Sequence, residues 1–213
     1  MKIFYNEKIK TKKKSKSWVI KQHRDQFFKK SKVLGYRSRS AFKLIELNDK
    51  FKFLKSNTQL IDIGSTPGGW SQVARNIIKK GKIIAIDIKE MKFLKGVTFL
   101  KCDFTAKETK IKLLEEYEQK ADVVLSDMAA DTTGNKDLDC IRTNLLCSEV
   151  IDFAHSVLKP QGKLIAKVFM GEDFLTVKDK AKKRFKKVEF FKPDSSRSES
   201  KETYIHCSTL NTL

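Results

Sequence analysis

IDIGSTPGGW, residues 61–70, decides how this chain is read. Leu60 to Ile63 is a short apolar run with one acid in it. Gly64, Gly68 and Gly69 follow, and WSQVARNIIKK then takes up a helical spacing, with Val73, Ile77 and Ile78 on one side. The chain holds only 9 glycines and 3 prolines in 213 residues, so the cluster stands out locally. A glycine-rich turn from strand to helix is where doubly wound folds hold a nucleotide-like cofactor. Missing Cβ atoms there let the backbone approach a ligand. The pattern is neither GxGxxG nor the phosphate-cradling GxxxxGK[ST]. A tight turn that needs positive φ would use the same residues, so the turn alone does not establish a ligand.

Working outward, short apolar runs alternate with longer helical patterns. TQLIDIG, KIIAID, VTFLKCD, ADVVLSD and KLIAKVFM read as strands, with VEFFK and ETYIHC as late ones. Helices are expected over 17–34, from about Ser38 through AFKLIEL, over KIKLLEEYEQ, from Asp139 to Leu158 and over FLTVKDKAKKRF. A turn at Pro160–Gly162 is expected to separate the fourth of these from the KLIAKVFM strand. Continuous apolar strands in a β-α-β-α series predict an α/β fold: a parallel sheet with helices on both faces. Residues 1–16 read as a basic flexible tail and 17–213 as a single domain.

Lys and Arg total 45 against 26 Asp and Glu, giving a formal net charge of +19. Charge on that scale concerns partners more than fold, and nucleic acid is the leading partner. A membrane surface is the weaker alternative, because no strongly amphipathic basic helix carries Trp or Phe along one face. No apolar run approaches the roughly 18 residues of a membrane span, and no signal-peptide pattern opens the chain. Cys102, Cys140, Cys147 and Cys207 form no CxxC, and His23, His155 and His206 fit no metal-ligand spacing. A reduced, cytoplasmic protein without a metal site is expected.

Four of the strands are expected to close on an aspartate: Asp62, Asp87, Asp103 and Asp127. In an open parallel sheet these ends share one edge, where ligands bind. Clustered carboxylates repel phosphate, which disfavours a pyrophosphate cofactor. They suit S-adenosylmethionine, with its ribose hydroxyls, α-amino group and sulfonium. Asp87 lies about 20 residues beyond the glycine turn, the position at which an acid takes ribose hydroxyls. Asp103 can accept from the adenine amino group. Some of these aspartates could instead cap helices or turns.

KLIAKVFM, residues 163–170, places a lysine, Lys167, inside an apolar strand. Lysine is almost never fully buried unless paired. A strand-end lysine reaching to water explains the pattern as well as a reactive amine does.

The resemblance that separates these readings is to the FtsJ/RrmJ ribose 2′-O-methyltransferases. GYRSRSAFKL (35–44), IDIGSTPGGWSQVA (61–74), LSDMAAD (125–131), KVFMGEDF (167–174) and KPDSSRSESKETYI (192–205) resemble that family's motifs, in its order, from about Trp18 to the C-terminus. The resemblance implies a Rossmann-like S-adenosylmethionine-dependent fold, a mostly parallel seven-stranded sheet with one late antiparallel strand. It implies a catalytic set at Lys43, Asp127, Lys167 and Glu202, and cofactor contacts at Gly64, Gly68, Gly69, Trp70, Asp87, Asp103 and Asp127. Lys167 is expected to take the proton of a ribose 2′-hydroxyl, with Lys43 and the two acids orienting it. The chain departs from the family pattern at Thr66, where a small residue is usual, and at Ala130-Asp131, where Pro-Asn is usual.

The implied activity is methylation of a uridine 2′-hydroxyl in large-subunit (23S) ribosomal RNA, within the assembled subunit, by a monomer. Lys32, Arg37, Arg39, Ser196 and Arg197 are expected to contact RNA, interleaved with Phe27, Phe28 and Tyr36. Phe27 and Phe28 are as readily explained by packing of their helix. The same tetrad serves transfer RNA and messenger RNA cap enzymes. A non-catalytic RNA-binding assembly factor would keep the fold but has no need of Lys167.

Overall fold

A computed structural model describes residues 25–117 and 120–211. The expected basic tail, and residues 17–24 of the first expected helix, lie outside the described residues.

In chain order the elements are α1 (Gln26–Val33), α2 (Ser40–Phe51), β1 (Leu60–Ile63), α3 (Gly69–Ile77), β2 (Ile83–Asp87), β3 (Thr98–Lys101), α4 (Lys107–Tyr117), β4 (Ala121–Ser126), α5 (Lys136–Val157), β5 (Leu158–Phe169), α6 (Phe174–Arg184), β6 (Phe185–Phe191) and β7 (Glu202–Leu210). The seven strands form one sheet in the order β3-β2-β1-β4-β5-β7-β6. The β1–β2, β1–β4, β2–β3 and β4–β5 pairs are parallel, and β7 runs antiparallel to both β5 and β6. This is the Rossmann-like sheet with one antiparallel strand that the resemblance implied.

Strand parity sorts side chains between two cores. Ile61, Ile63, Val124, Ala166 and Val168 pack on the face that includes Val150, Ile151 and Ala154 of α5 and Val177 and Ala181 of α6. Leu60, Val123, Leu125, Ile165 and Tyr204 pack on the other face, with Leu44 and Leu47 of α2 and Val73 and Ala74 of α3. Each fully buried Ile or Leu contributes about 1.5–3 kcal/mol relative to exposure, so strands buried on both faces hold the sheet.

Two local features differ from expectation. α5 starts at Lys136 rather than Asp139, because the Asn135 side chain accepts hydrogen bonds from Asp137 N (3.1 Å) and Leu138 N (3.2 Å) and caps the earlier turn. Pro160–Gly162 does not separate helix from strand. Ala121 pairs with Leu158 but Val123 with Lys163, so these residues bulge out of an already started β5. No helix among the described residues is long and apolar enough to cross a membrane.

Candidate active site

The strand order reverses between β1 and β4, and a crevice opens beyond the carboxyl ends of the strands there. A cavity of about 470 Å³ occupies it, lined by Gly64, Thr66, Asp87, Asp103, Asp127 and Met128, among others. Asp87 is the last residue of β2, Asp127 directly follows β4, and Asp103 lies just beyond β3. Asp87 accepts from Thr66 N (2.8 Å) and Lys89 N (2.7 Å), which fixes its carboxylate at the cavity wall. Asp103 Oδ1 accepts from Thr105 N and Oγ1.

Asp62 is placed differently from the other three. It lies within β1 and is fully buried, accepting from Ser71 Oγ at 2.5 Å, while its Oδ1 has no hydrogen-bond partner among the described residues. Burial, opposed by the Ser71 bond and reinforced by Asp127 and Asp87, raises its pKa to about 7. A carboxyl raised in this way stays protonated in the fold while the unfolded chain ionises near 3.8. It therefore costs stability as pH rises from about 4 to 7, and the full cost persists above 7. Asp62→Asn is expected to stabilise the ligand-free protein at pH 8 by roughly 3–4 kcal/mol and to leave it nearly unchanged at pH 4, checked by urea unfolding at both values.

The glycines serve packing as well as backbone freedom. Gly64 and Gly68 have φ of +75° and +101°, conformations L side chains rarely adopt. A Cβ on Gly69 would sit 2.1 Å from Ser38 Oγ, so the start of α3 closes on the loop before α2. Gly68, Gly69 and Trp70 are not among the residues lining the cavity described above. The Trp70 indole is buried; it donates to Ser40 O at 2.9 Å and lies 5.6 Å from the Tyr204 ring.

Beside the cavity, Lys43 of α2, Asp127 after β4, Lys167 of β5 and Glu202 of β7 converge. Lys167 pairs with Tyr204 and Phe169 with Glu202 across β5–β7, so Lys167, Glu202 and Tyr204 project to the face covered by α2. Lys167 Nζ lies 2.7 Å from Asp127 Oδ1, 3.0 Å from Asp127 O and 3.5 Å from Glu202 Oε2. Lys43 Nζ lies 2.6 Å from Glu202 Oε1. Lys167 is 9 % exposed and Glu202 8 %. Burial pushes the Lys167 ammonium toward neutrality, but Asp127 and Glu202 outweigh it and hold its pKa above the usual lysine range. Burial opposes ionisation of Glu202 too. The Lys167 and Lys43 charges and the Ser196 bond prevail and lower its pKa to about 2. Lys167 and Glu202 are thus both charged at neutral pH.

Two members of this network were not foreseen in it. Tyr204 donates to Asp127 Oδ1 at 2.7 Å, and Ser196 donates to Glu202 Oε1 at 2.8 Å. Tyr204 was findable: two residues beyond Glu202 on a strand, it must share that residue's face. Ser196 was expected at RNA but is buried, its hydroxyl turned inward.

The other expected RNA contacts divide similarly. Arg37 donates to Lys92 O and Phe93 O, each at 2.6 Å, and braces the loop after β2. Arg39 is bound to Asp25 and to Ser195 O. Arg197 is half-exposed and 3.8 Å from Asp25, and Lys32 is exposed over the Phe28 ring. Phe27 and Tyr36 both pack on Phe42, at 5.5 Å. Of the two departures from the family pattern, Thr66 holds Lys89 O through its hydroxyl at 2.9 Å, and Asp131 stands at the cavity mouth, 3.8 Å from Lys89 Nζ.

Comparison with known proteins gives the family. The family model for FtsJ-like methyltransferase matches residues 36–210. A Pelagibacter ubique protein named ribosomal RNA large subunit methyltransferase E is 44% identical over 196 residues, covering 92% of this chain and 97% of that protein. A Rickettsia akari protein of the same name is 45% identical over 208 residues, with 93% and 92% covered. The crystal structure of a ribosomal RNA methyltransferase from Plasmodium falciparum superposes with a TM-score of 0.70 at 33% identity, covering 82% of this chain and 98% of that one. With the motif order, the sheet topology and the family match over most of its length in agreement, this chain belongs to the FtsJ-like methyltransferases.

Proposed function

We propose that the protein uses S-adenosylmethionine to methylate the 2′-hydroxyl of a uridine in large-subunit ribosomal RNA, acting on the assembled subunit. One observation carries the reading: Asp127 both lines the cavity and pairs with Lys167, so a buried amine stands at the boundary of a carboxylate-lined site. The cavity residues fit the cofactor. Asp87, Asp103 and Asp127 would repel a pyrophosphate and attract a cation and hydroxyl donors. The bound cofactor supplies an activated methyl group and its own leaving group.

What remains for the chain is to orient and deprotonate a weak nucleophile. Lys167 is the group placed to take the proton, and it must first lose its own. A cation held against Asp127 draws on the carboxylate that stabilises the Lys167 ammonium, while Lys43 competes for Glu202. Both effects favour the neutral amine. Tyr204 holds Asp127, and Ser196 holds Glu202, in the positions this requires. With the Asp127 and Glu202 side chains beside it, an accepted proton is stabilised on Lys167 as the alkoxide forms.

The names carried by the relatives support ribosomal RNA over transfer RNA or a messenger RNA cap. Incubation with methyl-labelled cofactor tests the substrate. Label is expected in assembled large subunits that lack this modification, and in neither transfer RNA nor capped RNA; preferential labelling of either of the latter would overturn the assignment.

A further inference from the structure

The KVFMGEDF segment contributes more than Lys167. Met170 and Phe174, beyond the end of β5, line a second groove of about 550 Å³ with Phe190, Phe191, Lys192 and Lys201. Its position follows from the strand order. The first cavity lies at the ends of β1, β2 and β4; the Lys167 network joins β4, β5 and β7; the groove lies at β5, β7 and β6. Glu202 belongs both to the network and to the groove wall. The three sites therefore follow one another along a single edge of the sheet.

The groove's surface is apolar with a cationic rim. The Phe174 and Phe190 rings lie 4.8 Å apart at 52°, and Met170 remains 50% exposed. Lys192 Nζ is held at the rim by Ser198 O (3.2 Å) and Ser200 O (2.7 Å). Lys201 Nζ lies 3.3 Å from the exposed Asp137.

We propose that this groove receives an unstacked nucleobase of the substrate strand, on the side of the reactive ribose away from the methyl donor. The proposal rests on the RNA substrate argued above. With the donor occupying the β1–β4 side of Lys167, an RNA strand whose ribose sits at the amine continues toward β5–β7. Aromatic and thioether surfaces accept the face of any base, and Lys192 and Lys201 can meet the flanking phosphates. The net charge of +19 favours a polyanionic occupant over a second copy of the chain.

The test uses the full chain and assembled large subunits that lack the modification. With Met170 replaced by benzoylphenylalanine, illumination is expected to crosslink the protein to ribosomal RNA. A crosslink to a ribosomal protein or to a second copy, or none while the protein still methylates subunits, would overturn the proposal. Met170→Ala and Phe174→Leu change no charge; they are expected to raise KM for subunits about 5–100-fold while leaving cofactor affinity and the salt dependence of KM unchanged. Lys201→Ala, at an exposed site, should instead flatten the salt dependence by about one phosphate contact. An unchanged KM in both apolar variants counts against the groove. Failure of the wild-type protein to methylate subunits at all would instead remove the substrate reading beneath it.

Discussion

Lys167→Ala is expected to lower turnover by about 10²–10⁴-fold, the range for loss of a positioned general base, while cofactor affinity by calorimetry changes little. The amine lies beside the cavity wall rather than in it, so cofactor contacts survive its removal. Lys167→Arg separates charge from proton transfer: guanidinium keeps the positive charge but stays protonated. It should be nearly as inactive as the alanine variant. The pH profile gives the sign. Asp127 and Glu202 raise the Lys167 pKa against burial, so the neutral amine is scarce at pH 7 and grows as pH rises. Turnover limited by it should climb about tenfold per unit between roughly pH 7 and 9. A flat profile together with an active arginine variant would assign Lys167 a purely electrostatic role.

Glu202→Ala is expected to damage stability as well as turnover. It leaves the buried Lys167 and the partly buried Lys43 with one carboxylate, Asp127, in place of two, and breaking a buried ion pair on one side typically costs about 3–5 kcal/mol. The wild-type protein should show the matching pH dependence. Glu202 has its pKa lowered from 4.5 to about 2, so it contributes stability above about pH 4.5, and that contribution disappears as pH falls toward 2. The shift corresponds to roughly 3 kcal/mol. Urea unfolding of wild type and variant should differ by that order at pH 7 and converge near pH 2–3. Equal stabilities at pH 7 would mean that the two lysines find other partners.

The order of strands and helices was legible because it depends on local period: LIDI, IIAID and ADVVLS are apolar on both faces and flanked by helical spacings. Three of the four expected aspartates stand at the crevice for the same reason, since a strand's end can be read from its run. Asp62 differs because β1 continues one residue further, which turns its carboxyl down onto Ser71. What the residues did not disclose is partnership across the chain. Gly69 is small because Ser38 must approach it, and Arg37 and Arg39 are cations with internal acceptors at Lys92, Phe93, Asp25 and Ser195. Basic residues in a strongly basic chain look alike until the fold gives some of them acceptors. Ser196 shows the same limit: its loop reads as exposed, yet Glu46 binds the Asp194 and Ser195 N–H groups and folds it inward. The antiparallel direction of β7, which brings Glu202 and Tyr204 to Lys167, was implied by the family resemblance and not by the spacing of the residues.

The central claim is that the buried amine frees a ribose hydroxyl for methylation, and the chemistry of the product tests it most directly. Large-subunit RNA labelled by this protein should be hydrolysed in alkali and its fragments separated. A 2′-O-methyl group removes the hydroxyl that attacks the adjoining phosphodiester, so the label should appear in an alkali-stable dinucleotide whose 5′ nucleoside is uridine. Label recovered in mononucleotides would place the methyl group on a base and contradict the account.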